Sequence, residues 1–283
     1  GIDDAFVVQM SSSGSTIYYS TYLGGSGRDR AQGIAFDTLG RYYCVGYTYS
    51  ADFPTFNAYQ SFRAGPSDGF ITCLSSLGGY STYLGGDQHD SVAAIAVDSR
   101  GDAYVAGRST STDFPTLNPY QSTGGSPDGF ATRLSSTGSY LIYSTMLGGR
   151  IGYDDVIALA IDSVGSVYLA GRTASAQFPT VDPYQGEFTP GTDAANYDAF
   201  LSRLSSCGST LLYSSYLGGQ ATEEANGIAL FSDGSVYVAG YTLSDNFPTV
   251  NRYKGTKNRD WDAFFTRFSS SRKPPTPLPR VPR

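Results

Sequence analysis

The chain has 283 residues, 40% hydrophobic and 14% aromatic, with 23 Tyr, 16 Phe and 34 Gly against 2 Met and 1 Trp; such a composition favours strands and tight turns over helices and leaves room for one large all-β domain or two small ones. The formal charge is −6, and residues 1–270 alone hold 15 basic and 25 acidic groups, so the body lacks the positive footprint that nucleic acids and anionic membranes require. No run approaches the roughly 18 apolar residues of a membrane-spanning helix.

The first residue, Gly1, is neither an initiator Met nor the start of a signal peptide, which reads as a processed product or a fragment. Four kinds of segment then follow in a fixed order. An Asp-x-Phe strand runs from Asp4-Ala5-Phe6 to Ser11, and a Tyr-rich strand rises from Ile17 to Leu23-Gly24-Gly25. A short apolar strand, Gly33-Ile34-Ala35-Phe36-Asp37, comes third; after a Gly turn the fourth, Tyr43-Cys44-Val45-Gly46, leads to Phe53-Pro54-Thr55. The cycle restarts at Asp68-Gly69-Phe70, Asp128-Gly129-Phe130 and Asp198-Ala199-Phe200, and the last copy of its first member is Asp262-Ala263-Phe264. Within it Leu-Gly-Gly recurs at Leu84, Leu147 and Leu217, and Phe-Pro-Thr at Phe114, Phe178 and Phe247. The aspartates at 4, 68, 128, 198 and 262 step by 64, 60, 70 and 64 residues. Four short strands per period is the pattern of a propeller blade. The expected fold is therefore all-β, a β-propeller of about four four-stranded blades. Its repeats fall at about 4–67, 68–127, 128–197 and 198–261, with a closing strand at 262–270 and a Pro-rich tail or linker at 271–283.

The recurring residues have structural reasons to be there. Leu-Gly-Gly supplies either a φ > 0 bend or a close backbone approach where one sheet turns toward the next. Phe-Pro-Thr joins a core anchor to a fixed φ, setting the angle of the outer loop. Ser135-Ser136-Thr137-Gly138 and its counterparts read as hairpin turns between the first and second strands.

The run of Tyr-Ser-Thr-Tyr-Leu-Gly-Gly, Gly-Ile-Ala-Phe-Asp, Tyr-Val-Ala-Gly-Tyr-Thr, Asn-Phe-Pro-Thr and Asp-Ala-Phe resembles the bacterial SBBP-type β-propeller repeat, over about residues 3–270. The resemblance implies the fold, and a secreted or surface-attached location in parts of larger extracellular proteins. It implies no catalytic residues.

Counting Asp-x-Phe as segment one gives 17 strands, one more than four blades of four need. A propeller normally completes one blade with strands from both termini, yet Asp4 to Ser11 and Asp262 to Ser269 are copies of one blade position. Three readings stand open: a fragment of a longer propeller, a fifth strand on an edge, or a strand that completes a neighbouring molecule. The last would make a head-to-tail contact that need not close, with Asp4, Phe6, Val8, Asp262, Phe264 and Phe268 as the associating residues. The tail, with five prolines in residues 271–283, should be polyproline II, serving as a linker or an arm.

Chemistry-bearing residues are few. Cys44 stands where other repeats have Val105, Leu169 and Val238, Cys73 where they have Arg133, Arg203 and Arg267, and Cys207 lies in a turn; none has a partner at metal-ligand spacing. The single histidine, His89, reads as a loop residue, and no Gly-x-Ser-x-Gly elbow or phosphate loop occurs. Asp4, Asp68, Asp128, Asp198 and Asp262 read as strand-start carboxylates that accept turn amides, with a calcium ring as the functional alternative. Two long loops break the repeat symmetry and bring Phe188, Tyr197 and Trp261 forward as ligand-loop residues. The expectation is a non-enzymatic extracellular structural or interaction protein without cofactor, assembling with itself into oligomers or filaments at a surface or matrix. The alternative is a carbohydrate-binding propeller in which Tyr or Trp261 stacks on sugar rings.

Overall fold

A computed structural model describes residues 1, 3–75, 78–123, 127–191, 196–251 and 260–269; the Pro-rich tail and parts of both long loops lie outside them. The described residues form seventeen strands and no helix. The first sheet pairs β1 (Ala5–Met10) with β2 (Ile17–Leu23). The second is β3 (Asp29–Phe36), β4 (Tyr42–Thr48), β5 (Asp68–Leu74) and β6 (Tyr80–Leu84). The third is β7 (Asp90–Val97), β8 (Ala103–Ser109), β9 (Asp128–Leu134) and β10 (Leu141–Leu147). The fourth is β11 (Asp154–Ile161), β12 (Val167–Thr173), β13 (Asp198–Leu204) and β14 (Leu211–Leu217). The fifth holds only β15 (Glu223–Leu230), β16 (Val236–Thr242) and β17 (Asp262–Phe268). Every pairing is antiparallel and runs in chain order, as the meander of motifs predicts.

Alternation along each strand sends side chains to two faces, and both faces of the inner sheets are buried against a neighbour. Tyr43, Val45, Ile71 and Cys73 of the second sheet pack on Val92 and Val105 of the third. Tyr104, Ala106 and Ala131 pack on Val156 and Leu169 of the fourth, and Tyr168, Ala170 and Leu201 on Ala225 and Val238 of the fifth. Ala5, Val7 and Leu23 of the first sheet meet Cys44 and Phe70 of the second. The sheets thus stack in series. Among the described residues the first and fifth sheets share no strand pairing, so no shared sheet closes the stack into a ring.

Two details go beyond the motif reading. The third segment of each repeat starts earlier than Gly33, at Asp29, because a register shift between Ala31 and Gly33 breaks its alternation; the shift recurs at Val92/Ala94, Val156/Ala158 and Ala225/Gly227. Of the two roles open to Leu-Gly-Gly, close approach is the one used. None of its glycines takes a positive φ, whereas a Cβ on Gly85 would lie 2.6 Å from Asp90 Oδ2 and 2.7 Å from Asp68 Cγ.

Candidate functional site

Three features recur in the complete sheets. First, the Phe of strand one stacks on the Phe of the preceding Phe-Pro-Thr loop, with centroids 4.7 Å apart for Phe53–Phe70, 4.5 Å for Phe114–Phe130 and 4.6 Å for Phe178–Phe200. Second, a hydroxyl on strand one meets a Ser on strand two: Thr72–Ser81 at 2.9 Å, Thr132–Ser144 at 2.8 Å and Ser202–Ser214 at 2.8 Å. Third, the outer loop bridges strand two, as at Phe56–Ser81, Leu117–Ser144 and Val181–Ser214. In two of the sheets a strand-two Tyr locks that loop. Tyr83 Oη donates to Ser50 O (2.8 Å) and accepts the Phe53 amide (3.0 Å); Tyr216 Oη does the same with Ser175 O (2.7 Å) and the Phe178 amide (3.0 Å).

The two end sheets each hold part of this set. The first has strands one and two but no fourth strand and no loop. Its Phe6 is 66% exposed and its Tyr22 80% exposed, where Phe70, Phe130, Tyr83 and Tyr216 are buried. The fifth has strands three, four and one, with Phe264 stacked on Phe247 at 4.7 Å, and Arg267 bound to Asp233 at 2.8 Å as Arg203 is to Asp162 at 2.9 Å. Among the described residues it lacks strand two, and Val250 of its outer loop is exposed. The outward faces of the stack are open as well. Ile34 and Phe36 on β3 are exposed, whereas their counterparts Ile95 and Val97 pack on the preceding sheet. Phe265 on β17 is 62% exposed, whereas Ile71, Ala131 and Leu201 at the same position are buried. An open apolar hollow of about 230 Å³ lies between Phe6, Val7, Ala31, Ile34 and Cys44.

The associating residues read from the sequence divide accordingly. Phe6 and Val8 project from β1 into the open, and Asp4 lies 3.2 Å from the N-terminal ammonium. Phe264 is committed to its own sheet, and Phe268 lies half-buried and edge-on to Tyr213 at 6.3 Å. Sequence reading passed over Ser20, Tyr22, Thr266 and Phe265. Aligning the repeats position by position marks all four.

Two of the strand-start aspartates, Asp68 and Asp198, serve the turns. Asp68 accepts from the amides of Ala64 (2.8 Å) and Gly65 (3.1 Å) and from Gln60 Nε2 (2.9 Å); Asp198 accepts from the Thr189 amide (3.0 Å) and Gln185 Nε2 (3.1 Å). Burial raises the Asp68 carboxyl above its usual range. Burial, with the nearby Glu223 carboxylate, pushes Asp198 up to about 7. Asp128 is buried; Asp262, on the edge strand, is half-buried. Among the described residues no group of three or more His, Cys, Asp or Glu is placed to hold a metal. Cys44 and Cys73 are buried, while Cys207 is exposed between Ser205 and Ser209, whose hydrogen bonds bring its thiol down to about 7. His89 Nδ1 lies 2.9 Å from Ser67 Oγ.

Of the three ligand-loop residues, Phe188 turns inward against Tyr216 at 6.0 Å. The other two join one surface network. The Arg172 guanidinium covers the Tyr197 ring at 4.8 Å and pairs with Asp155 (2.9 Å) and Glu224 (2.8 Å); Tyr241 Oη donates to Glu224 (3.3 Å), and Trp261 lies on the Tyr241 ring at 4.3 Å.

A family model described as SBBP, a beta-propeller repeat, matches residues 19–54, 79–115 and 212–248. Each match runs from strand two through strands three and four to the Phe-Pro-Thr loop. The chain carries SBBP β-propeller repeats. Comparison with curated proteins found no match. Among solved structures, the SBBP chain is similar to Sqt1 of Chaetomium thermophilum at 13% identity and a TM-score of 0.36, over 83% of this chain and 61% of that one. No helix among the described residues of the SBBP chain is long and apolar enough to cross a membrane.

Proposed function

We propose that this SBBP chain is a non-enzymatic structural and interaction protein, exported to a cell surface or matrix, that assembles with copies of itself through its two incomplete end sheets. The observation that carries this reading is the contrast between Phe6 and Tyr22, both exposed, and their buried counterparts in the complete sheets. At the other end of the stack the fifth sheet ends on β17, with no strand two beside it among the described residues, and Val250 of its outer loop is exposed. Contacts between unlike ends are heterologous, and such contacts grow filaments when they do not close. The net negative charge suits a soluble building block kept apart from nucleic acid, and the presence of a single histidine, His89, supports the non-enzymatic reading. Electron microscopy of the concentrated protein tests the reading: linear particles of varying length are expected, and uniform single particles at every concentration would overturn it.

One observation favours carbohydrate recognition as a second reading. Trp261, Tyr241, Arg172 and Glu224 combine a stacking ring with charged hydrogen-bonding groups on one surface, the combination that holds a sugar ring and its hydroxyls. Binding on a glycan array that Trp261→Ala abolishes supports it, and an array without signal ends it.

A further inference from the structure

We propose that β2 is built to pair with β17 of a second copy, and that β1 holds its place until that partner arrives. The inference rests on the self-association reading above and names the strands that carry it.

Three independent mismatches at one end of the chain are matched at the other. The first is the hydroxyl pair. Thr72, Thr132 and Ser202 sit on strand one directly opposite Ser81, Ser144 and Ser214. Ser20 of β2 occupies the strand-two position, but the residue opposite it on β1 is Val8, which has no hydroxyl. Thr266 of β17 occupies the strand-one position, opposite Val238 as Thr132 is opposite Val105, and among the described residues has no strand two beside it. Joining β2 to β17 restores the pair present in every complete sheet.

The second is a matter of volume. Val7 of β1 and Phe265 of β17 share the strand-one position that faces the next sheet, held by Ile71, Ala131 and Leu201 elsewhere. The apolar hollow adjoins Val7, between Ala31, Ile34 and Cys44. A β17 strand in the place of β1 would set the larger Phe265 ring against that space and remove it from water.

The third is the loop. Tyr22 aligns with Tyr83 and Tyr216, whose hydroxyls bind the carbonyl of Ser50 or Ser175 and the amide of Phe53 or Phe178. The corresponding groups in the fifth sheet belong to Ser244 and Phe247, which already places its ring on Phe264. β17 itself is fixed to its own sheet by seven paired positions and by Arg267 on Asp233, whereas β1 carries Gln9 where that arginine stands.

The occupant is a second copy because, within one chain, the two sheets are at opposite ends of an open stack with no pairing between them. The exchange is a strand addition in which main-chain hydrogen bonds give affinity and the alternate side chains give register.

The test places Ser20→Cys and Thr266→Cys in the full chain with Cys207→Ser, oxidises it and reads covalent size on a non-reducing gel beside light scattering of the same sample. Because the hydroxyl oxygens of the complete sheets lie 2.8–2.9 Å apart, two cysteines at these positions can reach each other only when β2 and β17 are paired. A ladder of covalent multimers is expected. It should grow several-fold with an added Val7→Asp, which puts a charge into the apolar contact of β1 and releases it. A disulfide that closes within single chains overturns the second copy as occupant. A ladder unchanged by Val7→Asp overturns the place-holding role of β1. Association by scattering without any cross-link overturns the strand assignment while self-association stands, and monomers at every concentration overturn both.

Discussion

Asp198 is fully buried at the start of a strand and accepts the Thr189 amide and Gln185 Nε2. Its Oδ1 has no hydrogen-bond partner, and Glu223 is close enough to oppose its ionisation. With the folded carboxyl at about 7 and an unfolded aspartate near 4, the folded state holds the proton more tightly. The stabilisation from this group is therefore complete below about pH 4 and is lost as pH rises to about 7. Asp198→Asn should remove that dependence. The unfolding free energy of the native protein minus that of the variant is expected to fall between about pH 4 and pH 7, by up to about 4 kcal/mol. Urea titrations at several pH values read it directly, and a difference independent of pH would refute the buried, proton-holding role. The aspartates themselves were legible in the sequence because they repeat. Their neighbours Asp29, Asp90, Asp154 and Glu223, also buried, were not, since the register shift behind them breaks the alternation that announces a strand.

The register shift in the third strand of each sheet decides the residue beside it on the fourth. Gly46, Gly107, Gly171 and Gly240 lie opposite Ala31, Val92, Val156 and Ala225, at the edge of the shift. A Cβ on Gly171 would run into the backbone carbonyl of Asp155, and backbone has little freedom to withdraw in a sheet buried on both faces. Gly171→Ala is expected to destabilise the fold by on the order of 2 kcal/mol, seen as a lower midpoint of thermal or urea unfolding. A midpoint equal to that of the native protein would show that the sheet yields there. All seventeen strands could be located from the motifs, because Asp-x-Phe, Leu-Gly-Gly and Phe-Pro-Thr mark fixed points of the repeat. What the glycine at the end of Tyr-Val-Ala-Gly avoids could not be read, since a bulge leaves its trace on the partner strand. Asn57, Asn118, Asp182 and Asn251 escaped notice for a related reason. Each takes a left-handed φ of 46–49° just after Phe-Pro-Thr, a conformation that Asn and Asp tolerate better than other side chains, and a single polar residue in a loop gives little warning of it.

At the scale of the molecule, three complete sheets of the described residues stand between one that lacks strands three and four and one that lacks strand two. The surplus strand was visible as a count. Its consequence, that the unmet contacts at one end match those at the other, needed the burial of each repeat position side by side. Tyr22 on β2 and Phe265 on β17 are 80% and 62% exposed, and covering both rings would contribute about 3–6 kcal/mol before the costs of ordering and association. Set against those costs, and together with the main-chain hydrogen bonds of an added strand, this burial is expected to give a contact that forms at high concentration and is lost on dilution. Weight-average mass by light scattering, followed over a wide range of protein concentration for the native chain and for Tyr22→Asp, tests the central claim most directly. The native mass should climb continuously with concentration while the variant stays at 30.1 kDa; a native chain that keeps the monomer mass throughout, or a variant that climbs with it, would contradict association through the end sheets.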